Sequence, residues 1–394
     1  MTGNGPIILR CCGRFNRSFH SDVTSGPKDE LFVGVLSGTS VDAVDAALVR
    51  FGARAELVAT HTLPYPPELR GELLRLAVPG EDEIDRLGGA DVAVGRHFAR
   101  AVNELLEFAR VERAGVHAIG SHGQTVRHRP GRAVPFTLQV GDPNTIAAQT
   151  GLPVVADFRR KDMALGGQGA PLVPAFHAAI FGRAGEARAV VNIGGIANVT
   201  LLPADPTAPV RGFDTGPGNT LLDAWCRQQL GEPMDRDGAF AARGRVQEEL
   251  LRALLADGYF ARPAPKSTGP EHFSPAWLAA HVGGYGPADV QATLVALTAQ
   301  SIAESVKATL GASGVGVFIC GGGARNPVLM RALQERLPGC QMQTTAALGV
   351  DPGWVEAMAF AWLARQRMHH GAGNCPAVTG AMRGAVLGGV WLPE

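Results

Sequence analysis

Leu36-Ser37-Gly38-Thr39-Ser40-Val41-Asp42-Ala43-Val44-Asp45 decides how this chain is read. From Gly38 onward it gathers a glycine, two hydroxyls and two carboxylates into one turn between apolar runs, LFVGVLSG before it and residues 46–51 after it. Strand, tight turn, strand predicts a hairpin. A phosphate group needs small residues so that backbone N–H groups can approach its oxygens, hydroxyls to donate, and a carboxylate to hold Mg²⁺ or its waters. A hairpin turn merely rich in Ser, Thr and Asp accounts for the segment equally well.

Outward from this turn, residues 55–62 continue the meander, and helical periodicity covers 67–78 and 83–111. Residues 116–119 and 136–140 read as short buried strands feeding the polar loops SHGQT and GDPNT. Residues 188–193, the GGIAN turn and 199–202 repeat the strand, Gly turn, strand plan, a weak internal repeat. Beyond Gly212 the pattern is mostly helical (219–230, 246–256, 290–310, 327–336 and 355–368), with a compact strand at 315–320. The order is α/β throughout and no Pro- or Ser-rich linker appears, so the expected boundary is a close hinge near Ala187. The expected units are an extension over 1–30, a first domain over 31–187 and a second over 188–394, whose C-terminal segment can pack back on the first.

With 394 residues, 46% hydrophobic, the chain can bury two cores. Lys plus Arg and Asp plus Glu both number 36, so no global charge draws it to nucleic acid or membrane. Cys11, Cys12, Cys226, Cys320, Cys340 and Cys375 show neither zinc spacing nor a disulfide framework, which fits a reducing compartment. No apolar run reaches the roughly 20 residues of a membrane helix. The first thirty residues carry scattered Arg and Ser and read as a disordered tail in preference to a transit peptide.

Several further residues suit chemistry. The turn 192–198, with Gly194, Gly195 and Asn198, stands where the second half repeats the first turn, so two glycine turns can face a triphosphate across a cleft. Asp214 in FDTGPGN follows a short strand and opens a helix, beside a helix N-terminal anion site; it is either a general base or an Asx-turn residue. Gly321, Gly322 and Gly323 lie between a strand and a helix whose expected N-cap is Asn326, with Pro327 at the first position. They offer a flat surface for adenosine or an ordinary strand-to-helix turn. Glu356 in a first helical turn is either a macrodipole partner or a cleft carboxylate. His122, Gln124, Asp157, Arg159 and Asp162 suit a polar sugar bearing a carboxylate, or are polar surface loops.

Taken in order, LSGTSVDAVDAALV, GSHGQTVRHRP, QVGDPNTIAAQTGLPVVADFRRKDMALGGQGAPLVPAFH, NIGGIANVT, GFDTGPGNTLLDAW, FICGGGARNP and the Glu356 helix resemble the anhydro-N-acetylmuramic acid kinase family over residues 32–393. The resemblance implies two ribonuclease-H-like (actin-like ATPase) domains with mixed sheets flanked by helices and the site in the cleft between them. It implies ATP and Mg²⁺ as cofactors and a cytoplasmic enzyme. The implied reaction is hydrolytic phosphorylation of 1,6-anhydro-N-acetylmuramic acid to N-acetylmuramic acid 6-phosphate and ADP, in cell-wall recycling. By carry-over, Asp214 is the base, Glu356 a supporting carboxylate, Asp42 the metal-side carboxylate, and Gly38 to Asp45 (Gly38, Thr39, Ser40, Val41, Asp42, Ala43, Val44, Asp45) the first phosphate loop. Gly194, Gly195 and Asn198 form the second phosphate face, and Gly321 to Gly323 the adenosine surface. A homodimer is left open. Where this chain has Ala43, the family usually has glycine; if that position needs φ > 0, alanine adds roughly 1 kcal/mol of strain and lowers ATP affinity. Two other readings stand beside this one: a related kinase for another sugar, and a nucleotide-gated sensor without turnover.

Overall fold

The computed structural model describes residues 29–394 except Thr39, Pro270 and Ala312. The tail expectation for 1–28, Cys11 and Cys12, and the phosphate-loop assignment of Thr39 lie outside the described residues.

Two sheets share one construction plan. In the first, β1 (Glu30–Ser37), β2 (Ala43–Phe51) and β3 (Ala55–Pro64) form an antiparallel meander. Helices α1 (Pro67–Leu76) and α2 (Glu83–Ala109) then carry the chain to β4 (Val116–Arg129), which lies parallel to β1. β5 (Phe136–Val140) folds back on β4, and α3 (Pro143–Thr150) leads to β6 (Val154–Ala156), parallel to β4. Helices α4 (Phe158–Ala164) and α5 (Val173–Phe181) close this half.

In the second, β7 (Arg188–Ile193), β8 (Ile196–Leu202) and β9 (Arg211–Pro217) repeat the meander. Four helices follow, α6 (Asn219–Leu230), α7 (Glu248–Leu255), α8 (Pro275–Ala279) and α9 (Pro287–Leu310). Then β10 (Ser313–Cys320) runs parallel to β7, and α10 (Pro327–Arg336) crosses to β11 (Gly339–Thr344), parallel to β10. The strand orders are β6-β4-β1-β2-β3, with β5 on β4 and a late edge strand on β6, and β11-β10-β7-β8-β9. Apart from β5 and the late edge strand, the two orders coincide, so the weak repeat read in the sequence is a duplicated ribonuclease-H-like sheet.

The chain then returns. Helix α11 (Val355–Met368), α12 (Pro376–Thr379) and β12 (Gly389–Trp391) follow the second sheet, yet β12 pairs antiparallel with β6 of the first. Helix α11 lies on β1 and β4 through a lane of small residues: a Cβ on Gly34 would stand 1.8 Å from the Ala357 carbonyl, and one on Gly120 would stand 2.0 Å from that of Phe360. Only glycine admits so close a helix, and Ala357, Ala361 and Ala364 are the matching buried positions on α11. One core packs α2 against the first sheet, another packs α9 and α10 against the second, and a third, including Phe176, Met358 and Trp362, fills the space between the sheets.

Two sequence expectations change. SHGQT is not a loop at a sheet end but the middle of the long strand β4, where the pairing with β1 slips between Val35↔Ser121 and Ser37↔Gln124. The extra residue makes a bulge at His122 and Gly123, and Gly123 takes φ +73°. The short strands β6, β11 and β12 lie outside the strands expected from the sequence.

Candidate active site

The turn expected to face phosphate closes on a Val41 N–H to Gly38 C=O bond of 3.2 Å. Its strain sits at Val41, a β-branched residue held at φ +54°, a conformation that persists only where the surroundings impose it. Ala43 is not in this region; it opens β2 opposite Pro64 in ordinary strand pairing. The expected strain at Ala43 is therefore absent. A Cβ built on Gly38 meets no atom within 4 Å, so that glycine fronts open space. Asp42 is exposed and accepts from Arg70 Nη2 at 3.1 Å, so a cation on Asp42 must share it with Arg70. Further along β2, Asp45 accepts from the Thr62 hydroxyl at 2.7 Å, and burial raises its pKa.

The matching turn between β7 and β8 is tied to α6. N–H groups of Gly218 and Asn219 donate to the carbonyls of Gly195 and Gly194, both at 2.8 Å, and Thr220 N–H donates to Gly195 at 3.0 Å. These bonds use the first donors of α6, so the anion site expected at that helix start is already filled by backbone. Gly194 itself has no neighbour closer to a built Cβ than the Ile196 carbonyl at 3.5 Å. The GGG turn divides. Cβ atoms on Gly321 and Gly323 would collide with Asn192, at 2.3 Å, and with Ile193, at 2.3 Å, so both glycines exist to pack against the end of β7. Gly322 alone has room, with Asn219 Nδ2 at 3.6 Å. Asn326 caps α10 as expected, accepting from Val328 and Leu329 N–H at 3.1 Å.

Asp214 stands on a second bulge, where pairing slips from Ala197↔Gly216 to Asn198↔Asp214 and sets it opposite Asn198. Its Oδ2 accepts from Thr268 N–H at 3.0 Å, its own N–H donates to the Lys266 carbonyl at 3.1 Å, and its carbonyl accepts from the Tyr259 hydroxyl at 2.6 Å. Burial pushes its pKa up to about 6 against the opposing Thr268 hydrogen bond. It is not an Asx-turn residue but one tied to a distant segment by three contacts, one on the carboxylate and two on the backbone. Thr268, Lys266 and Tyr259 escape sequence reading because nothing in 259–268 is periodic or motif-like.

Glu356 projects from the first turn of α11. Solvent reaches it, yet protein surrounds it at longer range, the condition of a cleft wall; that burial raises its pKa, Arg159 opposes the rise and Asp45 adds to it. Asn192 Nδ2 lies 3.5 Å from Glu356 Oε1. Glu356 thus draws Asp45 of the first sheet, Arg159 of α4 and Asn192 of the second sheet into one neighbourhood. Arg159 forks onto the His122 ring, donating to Nε2 from Nε at 3.1 Å and from Nη2 at 2.9 Å, while Nη1 donates to the Gly169 carbonyl at 2.8 Å. A ring nitrogen that accepts twice carries no proton. Burial and the Arg159 charge hold His122 well below the usual histidine range, so it is neutral. Burial lowers Arg159 to about 10, which leaves it cationic at neutral pH.

The remaining expectations separate. Gln124 is buried beside the bulge. Asp157 is committed to Arg160, with contacts of 2.8 Å. Asp162 is fully buried: Oδ1 accepts from Asn374 Nδ2 at 2.7 Å and the Thr379 hydroxyl at 2.8 Å, and Oδ2 accepts from Gly169 N–H at 2.8 Å. It fastens the 166–169 loop to the returning C-terminal segment and presents no oxygen to a ligand.

A family model described as anhydro-N-acetylmuramic acid kinase matches residues 30–393. The chain belongs to the anhydro-N-acetylmuramic acid kinase family. A relative of that name from Shewanella amazonensis is 56% identical over 363 residues, covering 91% of this chain and 97% of its own. Another from Coxiella burnetii is 51% identical over 367 residues, covering 93% and 98%. A ROK family glucokinase from Streptomyces griseus, solved with glucose and AMPPNP, aligns over 85% of this chain and 99% of its own at 15% identity and a TM-score of 0.40. That likeness is too loose to bear on the site. No described helix of this kinase family member is long and apolar enough to cross a membrane.

Residues present suit a nucleotide and a divalent cation. Gly38 and Gly194 leave backbone open to phosphate oxygens, and Mg²⁺ characteristically takes one or two carboxylates plus phosphates and waters. Among the described residues no group of three or more His, Cys, Asp or Glu gathers for a metal.

Proposed function

We propose that this chain phosphorylates 1,6-anhydro-N-acetylmuramic acid with ATP and water, giving N-acetylmuramic acid 6-phosphate and ADP, with Asp214 as the base. The observation that carries the proposal is the Asp214 carboxylate, held by Thr268 and raised to about 6 by burial. A base of that pKa is ionised at neutral pH and still takes up a proton readily. Water attacks C1 and gives its proton to Asp214; the C1–O6 bond breaks, O6 forms its bond to the γ-phosphorus, and the bond to ADP breaks.

The two glycine turns present backbone to the nucleotide phosphates, with Asp42 on the metal side. Mg²⁺, when bound, neutralises phosphate charge. Arg159, held between His122 and Glu356, orients a carboxylate-bearing sugar; a planar guanidinium suits that group better than an ammonium. The Asp45 charge adds to the proton affinity of Glu356, and Arg159 opposes it. These residue roles rest on placement and chemistry. The decisive experiment forms product in ¹⁸O-labelled water and reads its mass: one ¹⁸O at C1 together with one phosphate is expected. Phosphorylation without label refutes hydrolytic opening, and absence of any product refutes the substrate.

A further inference from the structure

Away from the cleft, a groove of about 900 Å³ opens between the halves. It lies at the far ends of the central strands: Phe51 ends β2, whose other end meets the cleft at Ala43, and Arg188 begins β7, whose other end is Ile193, next to Asn192. At about 3.3 Å per strand residue the two sites are roughly 15–25 Å apart. Both segments by which the chain crosses between sheets line it, the outward crossing at Gly182, Arg183 and Arg188 and the return at Ala346–Gly349.

Its chemistry is one-sided. Arg54, Arg183, Arg188 and Arg365 line it, and no acidic residue does. Three acids beside the wall offset part of this charge: Glu186 is shared by Arg188 at 2.6 Å and Arg183 at 3.3 Å, Glu30 takes Arg365 at 2.8 Å, and the Asp29 carboxylate stands against Gly52 of the lining. Arg54 has no ion-pair partner among the described residues. Four guanidiniums against three carboxylates leave one positive charge over, beside an apolar floor of Phe51, Leu348 and Trp362. Guanidinium forks match phosphate oxygens two at a time, and a sugar ring lies well on aromatic faces.

We infer that this groove is a second ligand site, for a sugar phosphate, bridging the two crossings. The probe is N-acetylmuramic acid 6-phosphate at millimolar concentration, with hydrogen exchange of the full chain as the readout. The expected result is slowed exchange in 179–188 and 346–349, abolished in Arg54→Glu/Arg183→Glu, which alters two exposed side chains outside the cleft and keeps the thermal midpoint. The double reversal is expected to weaken binding about tenfold or more. Binding of the same probe in the cleft shows as protection of 36–45 and 192–198, so loss of either site is read separately and needs no turnover. No protection of the crossings, protection that survives the double reversal, or equal protection by inorganic phosphate overturns the inference.

Discussion

Asp214→Asn is expected to stabilise the protein while removing its activity. Burial lifts the carboxyl from 3.8 to about 6, so between those values the folded chain holds a proton that the unfolded chain has released. Stability conferred by the raised group is complete below about pH 4 and is lost as pH climbs through about 6, leaving the ionised carboxylate as a net cost at neutral pH. At roughly 1.4 kcal/mol per pH unit that cost has an upper limit of about 3 kcal/mol. Asp214 is only partly shielded from solvent, and asparagine offers Thr268 N–H a neutral acceptor, a bond weaker by about 1 kcal/mol. The expected gain is then about 1 kcal/mol near neutral pH, a thermal midpoint higher by about 1–3 °C, and it vanishes near pH 4. Calorimetry of both proteins at the two pH values measures it, and ADP release is expected to fall by about 10²–10⁴-fold. An asparagine variant less stable at neutral pH, or a difference that ignores pH, refutes the claim that burial sets this carboxyl.

Other outcomes follow from the same geometry. Gly34→Ala forces a methyl into the Ala357 carbonyl and is expected to lose about 2–3 kcal/mol or more of stability in thermal denaturation, whereas Gly38→Ala, facing open space, is expected to keep the midpoint and raise KM for ATP. Ala43→Gly is expected to change KM for ATP less than about twofold, because Ala43 carries ordinary strand geometry and glycine there loses only about 0.5–1 kcal/mol; a large improvement refutes the placement of strain at Val41. Arg159→Lys keeps the charge but loses the fork on His122 and the Gly169 bond, so kcat/KM for the sugar is expected to fall about tenfold or more. The pH profile of kcat/KM is expected to rise through about pH 6 as Asp214 ionises, and a profile flat from pH 5 to 8 counts against Asp214 as base.

What the sequence made legible was local. The hairpin around Gly38, the echo at Gly194, the Asn326 cap and the long amphipathic helices follow from neighbours within a turn or a strand. What it hid was set by contacts across the chain. Asp162 looked like a sugar ligand beside Arg159, but its oxygens are taken by Asn374 and Thr379, more than two hundred positions away. The helix start at Asn219 looked like an anion site, but carbonyls from another turn occupy its donors. His122 looked like a loop residue because a bulged strand keeps its polar residues without alternation.

Helix α11 shows why such contacts decide function. Its sequence reads as apolar on nearly every side, the pattern of a helix with core all around it, and the structure buries it between the two sheets. One end carries Glu356 to the cleft beside Asp45, Arg159 and Asn192; the other carries Trp362 and Arg365 to the arginine groove. Gly34 and Gly120 leave it no lateral freedom against the first sheet, while its preceding segment is bonded to the second through Gly321 N–H and the Pro352 carbonyl at 2.9 Å. The link from the second sheet to this helix is therefore the short backbone between Pro352 and Val355. A glycine, Gly353, sits in that short stretch, immediately before the helix that bears the cleft carboxylate.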